Sequence, residues 1–464
     1  MNVEGRSDFS IYNPSGLNSA ERQDHPLTFL QGDPDHGWHA QRNLLKPLNH
    51  LDFLREKEET AQRLLLHNVL TTPDVFDQNY QMLDQHQNGS ISTDEVVRNL
   101  AAQTGIDSLR IREMLADYAT ITHMEFHPSD VCNLTCQGCT YGHDDPERKP
   151  LPINFPYSAI ERMAQLKPKS MVLIGGGEPT LYASSGMRFQ NLVDEIDTQM
   201  PDTRLALVTN GTHKPEGDWP ERLSWIRLSL DAATADTYTN FRGRPTFQKV
   251  LDNFMQYLDY DIPYVGISFL YAKPNVHEYA QVASLIYEMV KSQKPEQLRK
   301  VNIQYRPLRQ DPRDYNRPFD LAVNQEQIEK AVGEVTSLAK SDPNIEEFLR
   351  DQTNITAILG GNTHPPQDFD RCYYSQTFKI VRANGDIRPC FIRVTEPDFI
   401  LGNIITDKPE TIGLNTLYVG SRKKPDCDPH GCRQCHANHI FQKASKEISN
   451  LQRLKMLKMT QCTK

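Results

Sequence analysis

Nine cysteines are spread unevenly along the chain's 464 residues. Cys132, Cys136 and Cys139 crowd into CNLTCQGC, and a second group returns late as Cys427, Cys432 and Cys435 in CDPHGCRQC. Three thiolates this close suit one metal centre. Structural zinc takes four ligands, so a zinc knuckle would need His127 or His143 to complete it. Cysteine thiolates also hold cubane iron–sulfur clusters, and three of them leave one iron open. The spacing favours the cluster.

Clustered cysteines of this kind bind metal rather than form disulfides where thiols stay reduced. The chain reads as soluble and cytoplasmic. MNVEGRSDFS lacks the basic segment and apolar core of a secretory signal. No apolar run approaches the roughly 20 residues that cross a bilayer, so no membrane partner is expected. A formal net charge of −9 also discourages non-specific binding to nucleic acid. The composition is that of a folded globular protein, long enough for two or three domains with sizeable cores.

Something must position those thiols. Residues 1–50 are polar, and helical periodicity follows at 51–69, 74–83, 93–103 and 108–118, giving a helical region over 1–118. From 119 short β-rich runs take over: HMEF, SMVLIGG, RLALVTNG, WIRLSLDA, YVGISFLYA and VNIQYRP. Amphipathic stretches at 157–167, 187–199, 246–259 and 276–292 lie between them. Six strands with intervening helices predict an α/β fold, either a parallel βα barrel or a doubly wound sheet. The runs read as apolar on both faces, as strands covered by helices are. The first cysteine group begins where the first of these strands ends, the edge at which parallel α/β folds build active sites. A connecting segment with two helices spans 311–371. In the last part, 372–464, FKIVRANGDIRPCFI predicts a hairpin turning at Asn384-Gly385, and a charged helix ends the chain.

On the residues 119–310 the sequence resembles the radical S-adenosylmethionine (SAM) superfamily, whose signature is C-x3-C-x2-C after the first strand of a partial (β/α)6 TIM-like barrel. GGGEP after the second strand matches that family's Gly-Gly-Glu element at Gly176, Gly177 and Glu178. The resemblance implies that this edge holds the amino group of SAM and that Asn210, at the end of the third strand, lies at the same site. It also implies that Ser229 and Asp231 face the ribose and that Arg242 meets the carboxylate, for which a guanidinium is well shaped. The residue before the third cysteine, aromatic in the family, is Gly138 here, and Tyr141 is expected to supply the packing on the adenine side. The implied cofactors are SAM and a catalytic 4Fe–4S cluster on Cys132, Cys136 and Cys139.

The later cysteines extend the resemblance. Cys372 and Cys390 frame C-x12-G-x4-C around Gly385, and with ILGNI at 400–404 this is similar to the auxiliary-cluster domains called SPASM or, in short form, twitch. With Cys432 and Cys435 as the closing pair, four cysteines would hold a second, auxiliary 4Fe–4S cluster. A zinc site from Cys427, Cys432, Cys435 and His430 or His436 is the other reading of that spacing. Cys427 is then a ligand, a bystander or a hydrogen-atom donor in catalysis, and Cys462 has no assigned role.

The expected activity is a radical SAM oxidoreductase that removes a hydrogen atom from a peptide, by epimerisation, cross-linking or oxidation, with an electron donor such as flavodoxin or ferredoxin as partner. A small metabolite such as an aminosugar is the alternative substrate. A non-catalytic iron–sulfur electron carrier or zinc scaffold is the alternative class. One further motif stands apart. DQHQNGSISTDE, residues 84–95, has the layout of an EF-hand loop with Asp84, Asn88, Gly89, Ile91 and Glu95 in place. His86, at the third ligand position, suits hard calcium poorly, so the expectation is a helix–turn–helix used for packing or substrate docking.

Overall fold

Runs rich in Val, Ile, Leu and Tyr alternate with amphipathic stretches, and in the computed structural model every one of the six runs becomes a strand. The structure describes residues 81–104, 107–147, 149–308, 320–355, 374–391, 394 and 399–421. Cys372, Cys427, Cys432, Cys435 and Cys462 lie outside the described residues, as do the helices expected before residue 81 and at the end of the chain.

Helices α1 (Thr93–Thr104) and α2 (Ser108–Ala119) precede strand β1 (His123–Phe126). Next come β2 (Ser170–Leu173), the short β3 (Ala183–Ser184) and β4 (Met187–Arg188), α3 (Phe189–Gln199) and β5 (Arg204–Thr209). Strand β6 (Leu223–Ser229) leads into α4 (Ala235–Arg242) and α5 (Phe247–Tyr257), and β7 (Val265–Tyr271) into α6 (Tyr279–Gln293). After β8 (Val301–Pro307) come α7 (Gln325–Ser341) and α8 (Pro343–Asp351). Strands β9 (Phe378–Val381), β10 (Asp386–Arg388) and β11 (Gly402–Asn403) and helix α9 (Pro409–Ser421) follow. The fold is α/β, with mostly parallel strands and intervening helices, as a partial barrel requires. No helix among the described residues is long and apolar enough to cross a membrane.

The chain divides into two compact units. The first holds residues 47–132, 150–206 and 364–464. Within it β1 pairs in parallel with β2 on one side and with β9 on the other, His123 standing opposite Ser170 and Phe378. Strand β10 folds back antiparallel on β9, and β11 pairs with β10. The hairpin turns where Asn384-Gly385 predicted it, with Gly385 at φ 88°, a left-handed conformation that glycine adopts without strain. This hairpin therefore continues the sheet through β1.

The EF-hand-like loop also belongs to this unit, and its side chains are committed to protein groups. Glu95 accepts from the Ser92 backbone N–H at 2.8 Å and from its hydroxyl at 2.9 Å, a helix cap for α1. The Asp84 carboxylate accepts from the Tyr418 hydroxyl at 2.7 Å, and the His86 ring meets the Thr93 hydroxyl at 3.0 Å. Met82, Val96, Val97, Leu100, Ile111 and Leu115 form one apolar cluster with Leu414 and Leu417 of α9. Helix α9 was not expected from the sequence, because Gly413 interrupts its pattern. The glycine is there for packing: a Cβ on it would lie 1.7 Å from the Leu115 carbonyl oxygen. The residues flanking the loop thus pack into this unit's core.

The second unit holds residues 1–46, 133–149 and 207–363. Its strands β6, β7 and β8 run parallel in register, Arg227 opposite Gly266 and Gly266 opposite Asn302, then Ser229, Ser268 and Gln304. Side chains alternate between faces along a strand. On one face Phe269, Tyr271 and Tyr305 pack around Tyr279 of α6 with ring centroids 4.3–6.1 Å apart. The other face is polar, and here the expectation of strands apolar on both faces is corrected. Arg227 Nη1 donates to Gln304 Oε1, and Arg306 donates to the same oxygen from Nε at 3.1 Å and Nη2 at 2.8 Å. Isolated polar residues inside apolar runs marked this face in the sequence.

Candidate functional site

The loop that leaves β1 carries the first cysteine group, and each unit grips its own part of it. In the first unit the glycine-rich turn after β2 lies backbone to backbone against residues 129–131. Gly177 N donates to Ser129 O and Glu178 N to Val131 O, both at 2.7 Å. A Cβ on Gly177 would sit 2.1 Å from the Val131 oxygen, so no other residue fits. Gly176, at φ 65°, lies equally close to Asp130, its ideal Cβ 2.4 Å from Oδ1. Glu178 is 2% exposed, and its Oε1 accepts from Thr180 N at 3.1 Å and the Thr180 hydroxyl at 2.7 Å, capping the turn that starts at Pro179.

In the second unit the loop caps a helix. The last carbonyls of any α-helix lack intrahelical partners. Here Gln137 N donates to Phe241 O at 2.8 Å, its side-chain amide donates to Asn240 O at 2.8 Å, and Thr135 N donates to Arg242 O at 3.4 Å. Gly243 ends α4 at φ 76°, and a Cβ there would strike the Thr135 hydroxyl oxygen at 2.1 Å. Asn133 is fixed as well. It donates to Thr212 Oγ1 and accepts from Asn210 Nδ2, each at 2.8 Å, while Thr212 Oγ1 donates to Asn210 Oδ1 at 2.7 Å. Asn133, Thr135 and Thr212 were not singled out in the sequence. For Asn133 and Thr135, polar residues standing between the cysteines, that position was the available signal.

Asp231 and Arg242 form a buried ion pair at 2.9 Å. The other Asp231 oxygen accepts from Leu270 N at 2.7 Å. Burial pushes the Asp231 carboxyl up, against the opposing pull of the Arg242 charge and the Leu270 N–H. The carboxylate thus orients Arg242, a role the sequence resemblance did not assign. Ser229 is half-buried at the end of β6.

Cys132, Cys136 and Cys139 are half-buried and none is in a disulfide. Cys132 belongs to the first unit, Cys136 and Cys139 to the second. Burial pushes the Cys139 thiol up, while the backbone N–H groups of His143, Tyr141 and Gly142 favour its thiolate. Sulfurs of iron–sulfur clusters are tuned by such hydrogen bonds, so the donor set fits a cluster. Tyr141 is half-buried and faces Cys139 through its backbone N–H. Cys390, also half-buried, follows β10. Among the described residues no three His, Cys, Asp or Glu side chains are gathered as a preformed metal cage.

Residues 126–286 match the family model described as Radical SAM superfamily. Among solved structures the chain is similar to "Native anSMEcpe with bound AdoMet", at 18% identity over 72% of this chain and 99% of that one, with a TM-score of 0.46. It is similar to "Crystal structure of Streptococcus suis SuiB bound to S-adenosylmethionine", at 15% identity over 75% of this chain and 79% of that one, with a TM-score of 0.43. No curated protein matches the chain.

Proposed function

Taking residues 126–286 as a radical SAM domain, we propose that the protein is an enzyme that cleaves SAM reductively and removes a hydrogen atom from a peptide. One observation carries the reading: the Gly176–Glu178 turn lies against residues 129–131, which lead into Cys132, so closely that only glycine fits at 177. The backbone leading into Cys132 and the glycine-rich edge thus form one surface on which a ligand can meet backbone.

Cys132, Cys136 and Cys139 would hold the catalytic cluster as thiolates. Gly176, Gly177 and Glu178 would receive the amino group of SAM, and Arg242, oriented by Asp231, its carboxylate. Asn210 holds Asn133, and through it the loop, in place. Ser229 would approach the ribose, and Tyr141 would pack on the adenine side. A 4Fe–4S cluster with SAM supplies, when bound, one-electron cleavage of a carbon–sulfur bond and a carbon radical able to take hydrogen from an unactivated position. The polar face of β6–β8, with Ser229, Ser268, Gln304 and Arg306, offers a peptide the hydrogen-bonding groups its amides need. Cys372, Cys390, Cys432 and Cys435 would hold the auxiliary cluster, with Cys427 beside it as ligand, bystander or hydrogen donor. A flavodoxin or ferredoxin would supply the electron.

The test is anaerobic reconstitution with iron and sulfide, followed by reduction with dithionite in the presence of SAM. Formation of 5′-deoxyadenosine is expected, and its absence from protein with full iron content would overturn the reading. Peptides encoded beside the gene should show a mass change. If an aminosugar or similar small molecule is turned over instead, the peptide assignment fails while the radical SAM assignment stands.

A further inference from the structure

Arg382 lies just past β9, on the C-terminal hairpin, far in sequence from the glycine-rich turn. Its guanidinium stands 3.8 Å from the Asp130 carboxylate, and these side chains are 17% and 6% exposed. Asp130 in turn packs directly against Gly176, where a methyl group in place of hydrogen would overlap Oδ1. The backbone that carries both residues is hydrogen-bonded. Asp130 N donates to Ile153 O, and His127 N donates to Val381 O, which carries the β1–β9 pairing up to the residue before Arg382. Arg382 N donates to Asp386 O across the hairpin, and Gly385 N donates to Arg382 O. A second guanidinium, Arg388, is tied to Asp386 at 3.4 Å. His127, wholly buried beside this group, is held down at about 3 by burial and by the Arg382 charge, and so stays neutral.

We infer that Arg382 is a positioning residue for SAM: through Asp130 it sets the place of the Gly176–Glu178 edge, so the C-terminal hairpin is part of the cofactor site. The physical reason is the stacking of contacts. Gly176 has no side chain to anchor it, and its left-handed backbone is held by what presses on it. The Asp130 carboxylate does that pressing, and a carboxylate with its counter-ion 3.8 Å away keeps one position where an unpaired one would turn toward water. The hairpin also leads to Cys390, proposed for the auxiliary cluster. The Arg382–Asp130 ion pair therefore links the hairpin to the SAM edge.

This inference rests on the proposed SAM site, and its experiment separates the two. Full-length protein is reconstituted anaerobically, and SAM binding is measured by calorimetry alongside iron content. The change that SAM induces in the electron paramagnetic resonance of the reduced cluster is followed in parallel. The variants are Arg382→Gln, Arg382→Lys, Asp130→Asn and the double variant Asp130→Asn/Arg382→Gln. Removing an outer partner of a ligand site commonly weakens it by about tenfold or more. Arg382→Gln and Asp130→Asn should weaken SAM by about tenfold, with parental iron content and a resonance change that needs correspondingly more SAM. Arg382→Lys should recover most of the loss. The double variant should bind no worse than either single one, because the two residues act as one unit. It also leaves no unpaired buried charge, so it answers the question even where a single variant fails to fold. Gly177→Ala is the control. If Gly177→Ala loses SAM while Arg382→Gln and the double variant bind it within twofold of the parent, the positioning role is overturned. If Gly177→Ala itself binds SAM like the parent, the proposed site falls first and this inference with it.

Discussion

Arg242 Nη1 reaches Asp231 Oδ2 at 2.9 Å, joining the end of α4 to the second residue past β6, with side chains only 10% and 2% exposed. Removing one partner of such a pair leaves a charge buried without compensation, at a cost of about 3–5 kcal/mol. Asp231 has φ 59°, a left-handed conformation that asparagine also tolerates, so Asp231→Asn isolates the charge. Urea denaturation of Asp231→Asn should show a loss of about 3 kcal/mol, and Asp231→Asn/Arg242→Met should lose less than the two single variants together. A loss below about 1 kcal/mol would mean that the pair is solvated.

Two glycines at left-handed or crowded turns should behave in opposite ways. Gly89 has φ 78°, and a methyl group on it would meet nothing within 4 Å, so Gly89→Ala should cost only the conformational strain of about 1–2 kcal/mol. Gly177→Ala forces an overlap with the Val131 carbonyl and must push the turn off the loop. It should abolish 5′-deoxyadenosine formation, whereas Gly89→Ala retains it. Equal activity in both variants contradicts the site.

The triple variant Cys132→Ala/Cys136→Ala/Cys139→Ala should lose SAM cleavage and about four irons per chain, one cubane's worth. About four irons should remain if the auxiliary cluster has its own ligands. Cleavage at the parental rate would remove these cysteines from the site.

Stability should fall in mild acid. His123 is half-buried, its Nδ1 2.8 Å from the Ser170 hydroxyl, and desolvation lowers its pKa from 6.5 to about 4. The unfolded chain takes up a proton near pH 6.5 and the folded one does not, so the stability contributed by neutral His123 is complete above pH 6.5. It declines as the pH drops toward 4, with a slope of about 1.4 kcal/mol per pH unit for each such histidine. Denaturation series at pH 7, 6 and 5 should show a shallower decline for His123→Asn. An unchanged slope would contradict the assignment.

Calcium should leave the protein unaffected. The Asp84 and Glu95 oxygens already accept protein hydrogen bonds, and Asn88 Oδ1 accepts from Ser90 N at 3.0 Å. A ligand that binds only the folded state raises its melting temperature. Millimolar calcium should therefore shift the transition by less than about 1 °C, and a rise of several degrees would reinstate the loop as a calcium site.

The strands, the cysteine loop and the glycine-rich turn were legible in the sequence because each depends on local chemistry. Six β-rich runs became strands, VNIQYRP with its bounds unchanged, and Asn384-Gly385 turned a hairpin as such pairs do. Helix α4 and helix α9 were not legible. In α9 a mid-helix glycine weakens the periodic signal, and its reason lies on another element, the Leu115 carbonyl. The same holds for Asp231, whose neighbour in space is 11 residues away on a helix. It holds for Arg382, which meets Asp130 only because β9 pairs with β1. The residues proposed to bind were chosen from residue type and spacing. Which of them orient the others was decided by strand pairing and close packing, since contacts between distant segments leave no periodic trace in the chain.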